Sequence, residues 1–575
     1  MNILIDNFFI IKHLINIFIF IYKIKFMPAG EVILVSYGEE NIVLSENPQI
    51  TYFKIVYRRY TNFSIETIRS DFIYQTKFGK KYTIEITKIG DLLNKMWLVI
   101  ELPEIPVIYN YDNIVDKKIK FKWTRKLAYA IIDYIEIEIG GQIINRLWGE
   151  WMNVLEELNW NNFNSSLDEY IGNTPDLTTY HYLYKNFQSK TLYVPLYFWF
   201  CNNSGSALPL LCLEYNIVRL NIQLNDFQNC GIFSPSNYIS IEKYYGNGIL
   251  GEPLIQYSNQ GIAWAEFDSI DVAEYDLTTM NIKSYFLYYR KISDNQFITT
   301  SCFTSDYIKL FADQLNINYN FIIIGLYSGS IYIPIKSDPN DPTSIYIEKI
   351  YNFIQPTNIT FKKIYLLSNY IYLDREERKK FYENKHQYII EQIFYSNPKF
   401  ISNLNNKIYI ETINPCKYFV FMSQIKYFLN YNVNQLFNYN LYFFDTNLIN
   451  KSLKNNHIFN FKNKPVINNM YYSLNSNPTT DIYDIKYYNL LNPFLYFPMS
   501  KNKSSFGIAS FSLYPNTLQP SGSCNMSYFN SFQIDITQNP IDINYDQYIF
   551  KCYTVSYNYL KIANGVAAPI FNSPF

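Results

Sequence analysis

The chain has 575 residues with 49 Lys and Arg against 49 Asp and Glu, and no basic domain or arm stands out, which argues against direct contact with nucleic acid. Its seven cysteines (Cys201, Cys212, Cys230, Cys302, Cys416, Cys524 and Cys552) are dispersed and lack a Cys-x-x-Cys pair, so they read as reduced thiols packed as small hydrophobes, with no zinc site or disulfide framework. A composition of 48% hydrophobic and 19% aromatic residues supplies ample core material rich in strand formers, over a length that suits roughly two to four domains.

Residues 1–26 are strongly apolar, but Lys12 and His13 interrupt the run. The clean span is shorter than the roughly 20 residues a membrane-crossing helix needs, and no small-residue cleavage site follows. Beyond it, strand signals dominate. Tyr82, Ile84 and Ile86 alternate with Thr83, Glu85 and Thr87; Ile135, Ile137 and Ile139 alternate with Glu136 and Glu138 before a Gly140-Gly141 hairpin turn. Trp151, Leu155 and Leu158, at helical spacing after Gly149, predict a short helix. Leu192 to Phe200 is apolar almost throughout, the pattern of a strand covered on both faces. Val218, Leu220, Ile222 and Leu224 alternate with Arg219, Asn221 and Gln223.

In the second half, Asp338-Pro339-Asn340-Asp341-Pro342 marks a long loop. Asp374 with Glu377 forms a capping box that opens a second helix, with Phe381 on its apolar side. The basic residues Arg375, Arg378, Lys379, Lys380 and Lys385 are interleaved with Glu376, Glu377 and Glu383, as on a solvated helix face. Gln519-Pro520-Ser521-Gly522 predicts a type I turn. A strand follows, with Phe532, Ile534 and Ile536 on one face and Gln533, Asp535 and Thr537 on the other. Tyr553, Val555, Tyr557 and Tyr559 alternate with Thr554, Ser556 and Asn558 near the end. The expected fold class is all-β: two tandem β-sandwiches with short helical excursions.

Residues able to carry chemistry do not converge. Gly246-Asn247-Gly248-Ile249-Leu250-Gly251 fits G-x-G-x-x-G, yet Pro253 and the strand-like sequence beyond supply no helix for a dinucleotide. Asp542 to Asp546 begins like a calcium loop, but Gln547 and Tyr553 replace the required Gly and Glu. His13, His181, His386 and His457 have no partner at metal-ligand spacing. Glu136 and Glu138 share one strand face and read as its solvated side. The Asn-x-Ser/Thr triplets at Asn62, Asn164, Asn202, Asn358, Asn450, Asn502 and Asn525 are the chance yield of an Asn-rich chain. No catalytic, cofactor-binding or metal residue is assigned, and no cofactor is expected.

The segment LQPSGSCNMS (Leu518 to Ser527) resembles the C-terminal signature of the major capsid proteins of nucleocytoplasmic large DNA viruses. Five further blocks resemble that family in order: NPQITYFKIVYRRYTNFSIE from Asn47, IEIEIGGQIINRLWGEWMNVLEEL from Ile135, LYVPLYFWFCNNSGSALPLLCLEYNIVRLNI from Leu192, YLDREERKKFYENKHQYIIEQ from Tyr372 and NPCKYFVFM from Asn414. The resemblance implies a double jelly roll: an N-terminal segment at 1–46, a first jelly roll at 47–230 and a second at 231–575 with long loop insertions. It implies a structural, non-enzymatic protein of an icosahedral capsid, assembled in the host cytoplasm. Its partners would be two further copies in a homotrimer, neighbouring capsomers and minor capsid proteins. Met27-Pro28-Ala29-Gly30 resembles the place where family members begin, so residues 1–26 read either as translated upstream sequence or as an anchor facing the viral inner membrane. The alternative reading is a carbohydrate-binding or carbohydrate-active β-sandwich, based on exposed aromatics and a carboxylate pair.

Overall fold

The computed structural model describes residues 61–106, 120–159, 165–183, 187–233, 237–248, 253–258, 261–275, 282–291, 323–325, 330–335, 349–350, 359–401, 403–426, 436–437, 439–443, 462–498, 500, 506–538 and 548–571. The apolar 1–26 segment, the start at Met27, the 338–342 turn cluster and the partial calcium loop from Asp542 lie outside these residues.

Two sandwiches are built from the alternating segments. In the first, one sheet has the order Phe63–Asp71, Lys363–Leu373, Leu92–Glu101, Thr191–Pro195. The other has the order Lys81–Glu85, Val218–Leu224, Ile132–Ile139, Gln142–Trp148. Period-two patterning delivers Ile84, Ile135, Ile137, Leu220 and Ile222 from one sheet, and Met96, Leu98 and Ile100 from the other, to a single core. Gly140 and Gly141 hold φ of 60° and 85°, the paired positive values that a two-residue primed turn requires, and the flanking strands pair as a hairpin.

The second sandwich pairs a sheet of order His386–Ile401, Tyr548–Ala563, Pro415–Ile425, Gly507–Ser510 with one of order Asn405–Ile410, Phe532–Gln538, Ile467–Leu474, Asn477–Pro478. Phe419, Phe421, Met470, Ile534, Ile536 and Phe550 fill its core. Both sandwiches together form the double jelly roll.

Between them in sequence, strands from Asn237–Tyr245 to Ile331–Pro334 pair around a closed ring, because Ile282–Lys291 bonds both Gly261–Tyr275 and Asn237–Tyr245. This ring has its own core of Ile239, Ile241, Leu254, Phe267, Leu287 and Tyr332. The Gly246-Asn247-Gly248 stretch follows its first strand, and the next described element is another strand, Pro253–Ser258.

The strand Lys363–Leu373 departs from a division at residue 230: it lies within 231–575 yet pairs with Phe63–Asp71 and Leu92–Glu101 of the first sandwich. Sheet membership is decided by long-range pairing, which local periodicity does not encode.

Three local expectations are also revised. The apolar run from Leu192 is a strand only to Pro195, with Leu192 and Val194 buried but Tyr193 39% exposed; Trp199–Asn202 is a helical turn. The predicted turn at 519–522 is displaced to Tyr514–Thr517, where Thr517 N–H donates to Tyr514 O at 3.2 Å and Pro515 takes the second position. Residues 519–522 are instead the returning limb of that loop, pinned by Leu513 N–H to Ser521 O at 3.2 Å and Tyr514 N–H to Ser521 Oγ at 2.8 Å. Thr554, Ser556 and Asn558 are as buried as the tyrosines and valine between them, because their sheet is covered on both faces.

Both expected helices form. Asp374 caps Arg375–Glu383 by accepting Glu377 N–H at 2.9 Å, and Phe381 is packed against the first core. Helix Gly149–Leu158 buries Trp151 and Leu158. It starts at a glycine because a Cβ there would lie 2.1 Å from Tyr129 O and 2.2 Å from Ile132 O, both rigid backbone. Gly149→Ala should therefore lower stability by roughly 3 kcal/mol through forced displacement of the helix, read as a reduced urea midpoint.

Candidate functional site between the two sandwiches

A strand with one solvated face alternates, whereas Tyr418-Phe419-Val420-Phe421-Met422 is apolar at every position. Phe419 and Phe421 belong to the core of the second sandwich; Tyr418, Val420 and Met422 join the cluster that holds the first. One sheet of the second sandwich is thus the floor of a contact with the first.

Helix Gly149–Leu158 and the strand before it supply the opposing surface. Trp151 lies 5.4 Å from the Tyr553 ring and 6.4 Å from that of Tyr418; Trp148 lies 5.5 Å from Tyr395, which stacks on Tyr553 at 4.7 Å. Polar groups tie the backbones together. Asn145 Nδ2 donates to Glu391 O at 3.0 Å, and Gln392 Nε2 donates to Ile144 O at 2.7 Å.

At the centre stands Glu150. Lys551 Nζ reaches both of its oxygens, at 2.9 and 3.0 Å. Tyr439 OH donates to Oε1 at 2.7 Å and Tyr553 OH to Oε2 at 2.8 Å. The carboxylate belongs to the first sandwich and Lys551 and Tyr553 to the second. Both charged side chains are nearly enclosed, at 13% and 12% exposure. Burial, reinforced by the neighbouring carboxylate, holds the Tyr439 and Tyr553 phenols well above their ordinary pKa, so they remain donors.

A cleft of about 180 Å³ remains beside this contact, lined by Trp151, Trp199, Tyr418, Phe497 and residues 515–518. Buried Lys417 crosses its wall, bonding Glu391 Oε1 at 2.5 Å and Thr517 O at 2.9 Å. The family-like segment from Leu518 therefore emerges from a loop held to the contact between sandwiches.

Glu150, Lys551 and Tyr439 were not singled out by sequence. The available signal was a lysine inside an apolar strand, as in Tyr548-Ile549-Phe550-Lys551-Cys552. The Glu136 and Glu138 pair is also revised: Glu136 is 1% exposed, accepts from Arg146 Nε at 2.7 Å and pairs with Lys81 at 3.3 Å, while Glu138 is held by Asn221 and Arg219. Cross-strand cations cover what period two alone assigns to solvent. Among the described residues, no group of three His, Cys, Asp or Glu could hold a metal, and no helix is long and apolar enough to cross a membrane.

The other end of the helix carries a second buried carboxylate. Glu156 is enclosed, its nearest cation Lys126 Nζ at 3.7 Å, while Lys126 also bonds Asn153 and Glu157. Burial pushes the Glu156 carboxyl up to about 7; Lys126 opposes this, and Asp168 and Glu157 add to it.

Comparison with known proteins agrees with this architecture. Residues 51–249 match the family described as "Major capsid protein N-terminus", and residues 377–568 match "Large eukaryotic DNA virus major capsid protein". The chain is 31% identical over 551 residues to "Probable capsid protein 4" of Acanthamoeba polyphaga mimivirus, covering 95% of this chain and 100% of that one. It is 34% identical over 232 residues to the "Major capsid protein" of Phaeocystis pouchetii virus, covering 36% of this chain and 42% of the relative. Among solved structures, the Vp54 subunit of PBCV-1 aligns with TM-score 0.55 at 17% identity, over 91% of this chain and all of that one. The Faustovirus major capsid protein aligns with TM-score 0.56 at 10% identity, over 92% and 94%.

Two outcomes are expected at the contact. Glu150→Ala leaves Lys551 buried without its carboxylate and should cost about 3–5 kcal/mol, whereas the double substitution Glu150→Gln with Lys551→Met should recover much of that loss; denaturant melts of the three variants check this. For Glu156, a folded pKa above the unfolded value means that the native state holds the extra proton. The contribution of Glu156 to stability is then greatest below about pH 4.5 and falls as pH rises to about 7. Glu156→Gln should remove a decline on the order of 3 kcal/mol over that window, measured as the difference between the two proteins' pH–stability profiles.

Proposed function

The chain belongs to the major capsid protein family of large eukaryotic DNA viruses, and on that premise we propose that three copies assemble into one capsomer of an icosahedral shell. The protein is a structural component of the virus capsid and not an enzyme. The observation that carries the proposal is the buried contact at Glu150, which makes two similar sandwiches one stiff body. A trimer of such bodies presents six sandwiches in a ring, an outline suited to a hexagonal lattice. A close-packed contact keeps that outline constant from copy to copy.

On this reading the two jelly rolls are the load-carrying domains, with 363–373 counted with the first and the closed ring of 237–350 as an insertion. Neighbouring capsomers meet at the outer faces, minor capsid proteins occupy the junctions, and assembly takes place in the host cytoplasm. Balanced charge gives the chain no reason to contact the genome directly. The carbohydrate alternative loses its carboxylate pair, since Glu136 and Glu138 are engaged by their own sheet.

Light scattering on the purified full chain tests the stoichiometry. The expected mass is about three times 68.4 kDa, independent of micromolar dilution. A monomer throughout that range would refute the trimer while leaving the fold intact.

A further inference from the structure

The signature segment contains Cys524, and the block NPCKYFVFM contains Cys416. Strand pairing sets these residues directly opposite one another: Pro415 faces Asn525 and Cys416 faces Cys524 in an antiparallel ladder. Opposed residues in such a ladder project to the same face. Both cysteines accordingly border the core of the second sandwich, Cys416 fully buried and Cys524 half-buried. Met526 N–H donates to Asn414 O at 3.1 Å, which makes that opposed pair a hydrogen-bonded one. By alternation the pair two residues along, Cys416 and Cys524, is hydrogen-bonded as well, and Cα atoms in such pairs lie about 5.5 Å apart. Disulfides span Cα separations of roughly 4.4–6.8 Å, with the commonest value near 5.5–6 Å.

We propose that Cys416 and Cys524 are a redox-responsive pair that closes into a cross-strand disulfide when the protein meets a low-molecular-weight disulfide such as oxidised glutathione. Cys524, the more accessible sulfur, attacks the reagent as its thiolate. Its S–S bond breaks, and one reduced thiol leaves as a mixed disulfide forms on Cys524. The Cys416 thiolate then attacks the Cys524 sulfur, and the second reduced thiol leaves. Two electrons pass to the reagent, and the two cysteine protons end on the two released thiols. Burial raises both cysteine pKa values, so the reaction is slow and favoured by alkaline pH.

The bond would close the base of the segment that carries the 513–521 loop. That loop borders the cleft between the sandwiches and is held there by Lys417, the residue after Cys416. Oxidation therefore staples the signature segment to the sheet in the contact between domains. A protein folded under reducing conditions would acquire this staple only on reaching an oxidising medium. The inference does not depend on the trimer reading.

The experiment uses the full chain, purified under reductant, incubated with oxidised glutathione at pH 8, alkylated and digested with trypsin without reduction. The expected product joins peptide 408–417 to peptide 504–551, at the mass of the two less two hydrogens. The oxidised protein should melt several degrees higher than the reduced one, and dithiothreitol should reverse the shift. Cys524→Ser, at a half-buried position, should abolish both the link and the shift. Cys524 left as a stable glutathione adduct with Cys416 still free would overturn the proposal. So would a link from either residue to Cys552, which shares this core and lies on the separate peptide 552–561. Peptide mapping of the wild-type chain decides the matter even if the variant does not fold.

Discussion

The enclosed carboxylate of Glu150 is the constraint on which the rest of the subunit depends. A charge taken out of water is tolerable only where its partners are complete, and here every partner is in place: one ammonium spans both oxygens and each oxygen receives a phenol. Lys551 and Tyr553 arrive on a strand of the other sandwich. A shift between the sandwiches of even an ångström or two would strand a buried charge, so the relative placement of the two bodies is steeply defined. The surrounding rings of Trp148, Trp151, Tyr395 and Tyr418 exclude water and make the penalty for misplacement larger. Gly149 completes the constraint by letting the helix rest on the carbonyls of Tyr129 and Ile132, which fixes where Glu150 can be.

The same device recurs where the closed ring meets the strand that carries Lys120, and within the second sandwich at Lys417. Lys120, 1% exposed, opens the strand Lys120–Trp123 of a separate three-stranded sheet; it bonds Asp271 at 2.5 Å and lies 3.8 Å from the Tyr288 ring, both on the closed ring of strands. Tyr180 and Tyr182 add hydrogen bonds to Asp268 and Asp271. Lys417 ties Glu391 to the loop at Thr517. Each is a lysine placed in a strand with apolar neighbours, and each finds its carboxylate on a different element. Apolar contact alone would hold these parts together without choosing a register; a buried ion pair adds directionality, because misaligned alternatives leave a charge unpaired.

This arrangement also explains what was legible in the sequence and what was not. Periodicity located Ile135 to Ile139, Val218 to Leu224 and Phe532 to Ile536, because each strand has one face toward its own core. Cap chemistry located the helix at Asp374, a bond that is local by nature. Periodicity failed at Thr554 and Ser556, which oppose Phe419 and Cys416 and so face their own core, while the first sandwich covers the face of Tyr553 and Val555. It failed again at Glu136, whose covering cations Lys81 and Arg146 come from other strands of its sheet. The partnership of Glu150 with Lys551 spans 401 residues, and no window of sequence contains both. Composition hinted at it only through a lysine that an apolar strand should not carry unless it is paired.

The segment that first pointed to the family has a physical reason to be distinctive. Its residues do not form the turn their proline and glycine suggest, because Ser521 is committed to Leu513 and Tyr514. The turn moves to Pro515, and that shift lets the carbonyl of Thr517 receive the buried ammonium of Lys417. Beyond it, Cys524 and Asn525 rejoin the strand that carries Lys417, so the loop leaves and returns to the same sheet edge. A stretch tied at both ends to the contact between two sandwiches has little freedom to vary in length or in backbone path. Its recognisability as a string of letters follows from that mechanical position.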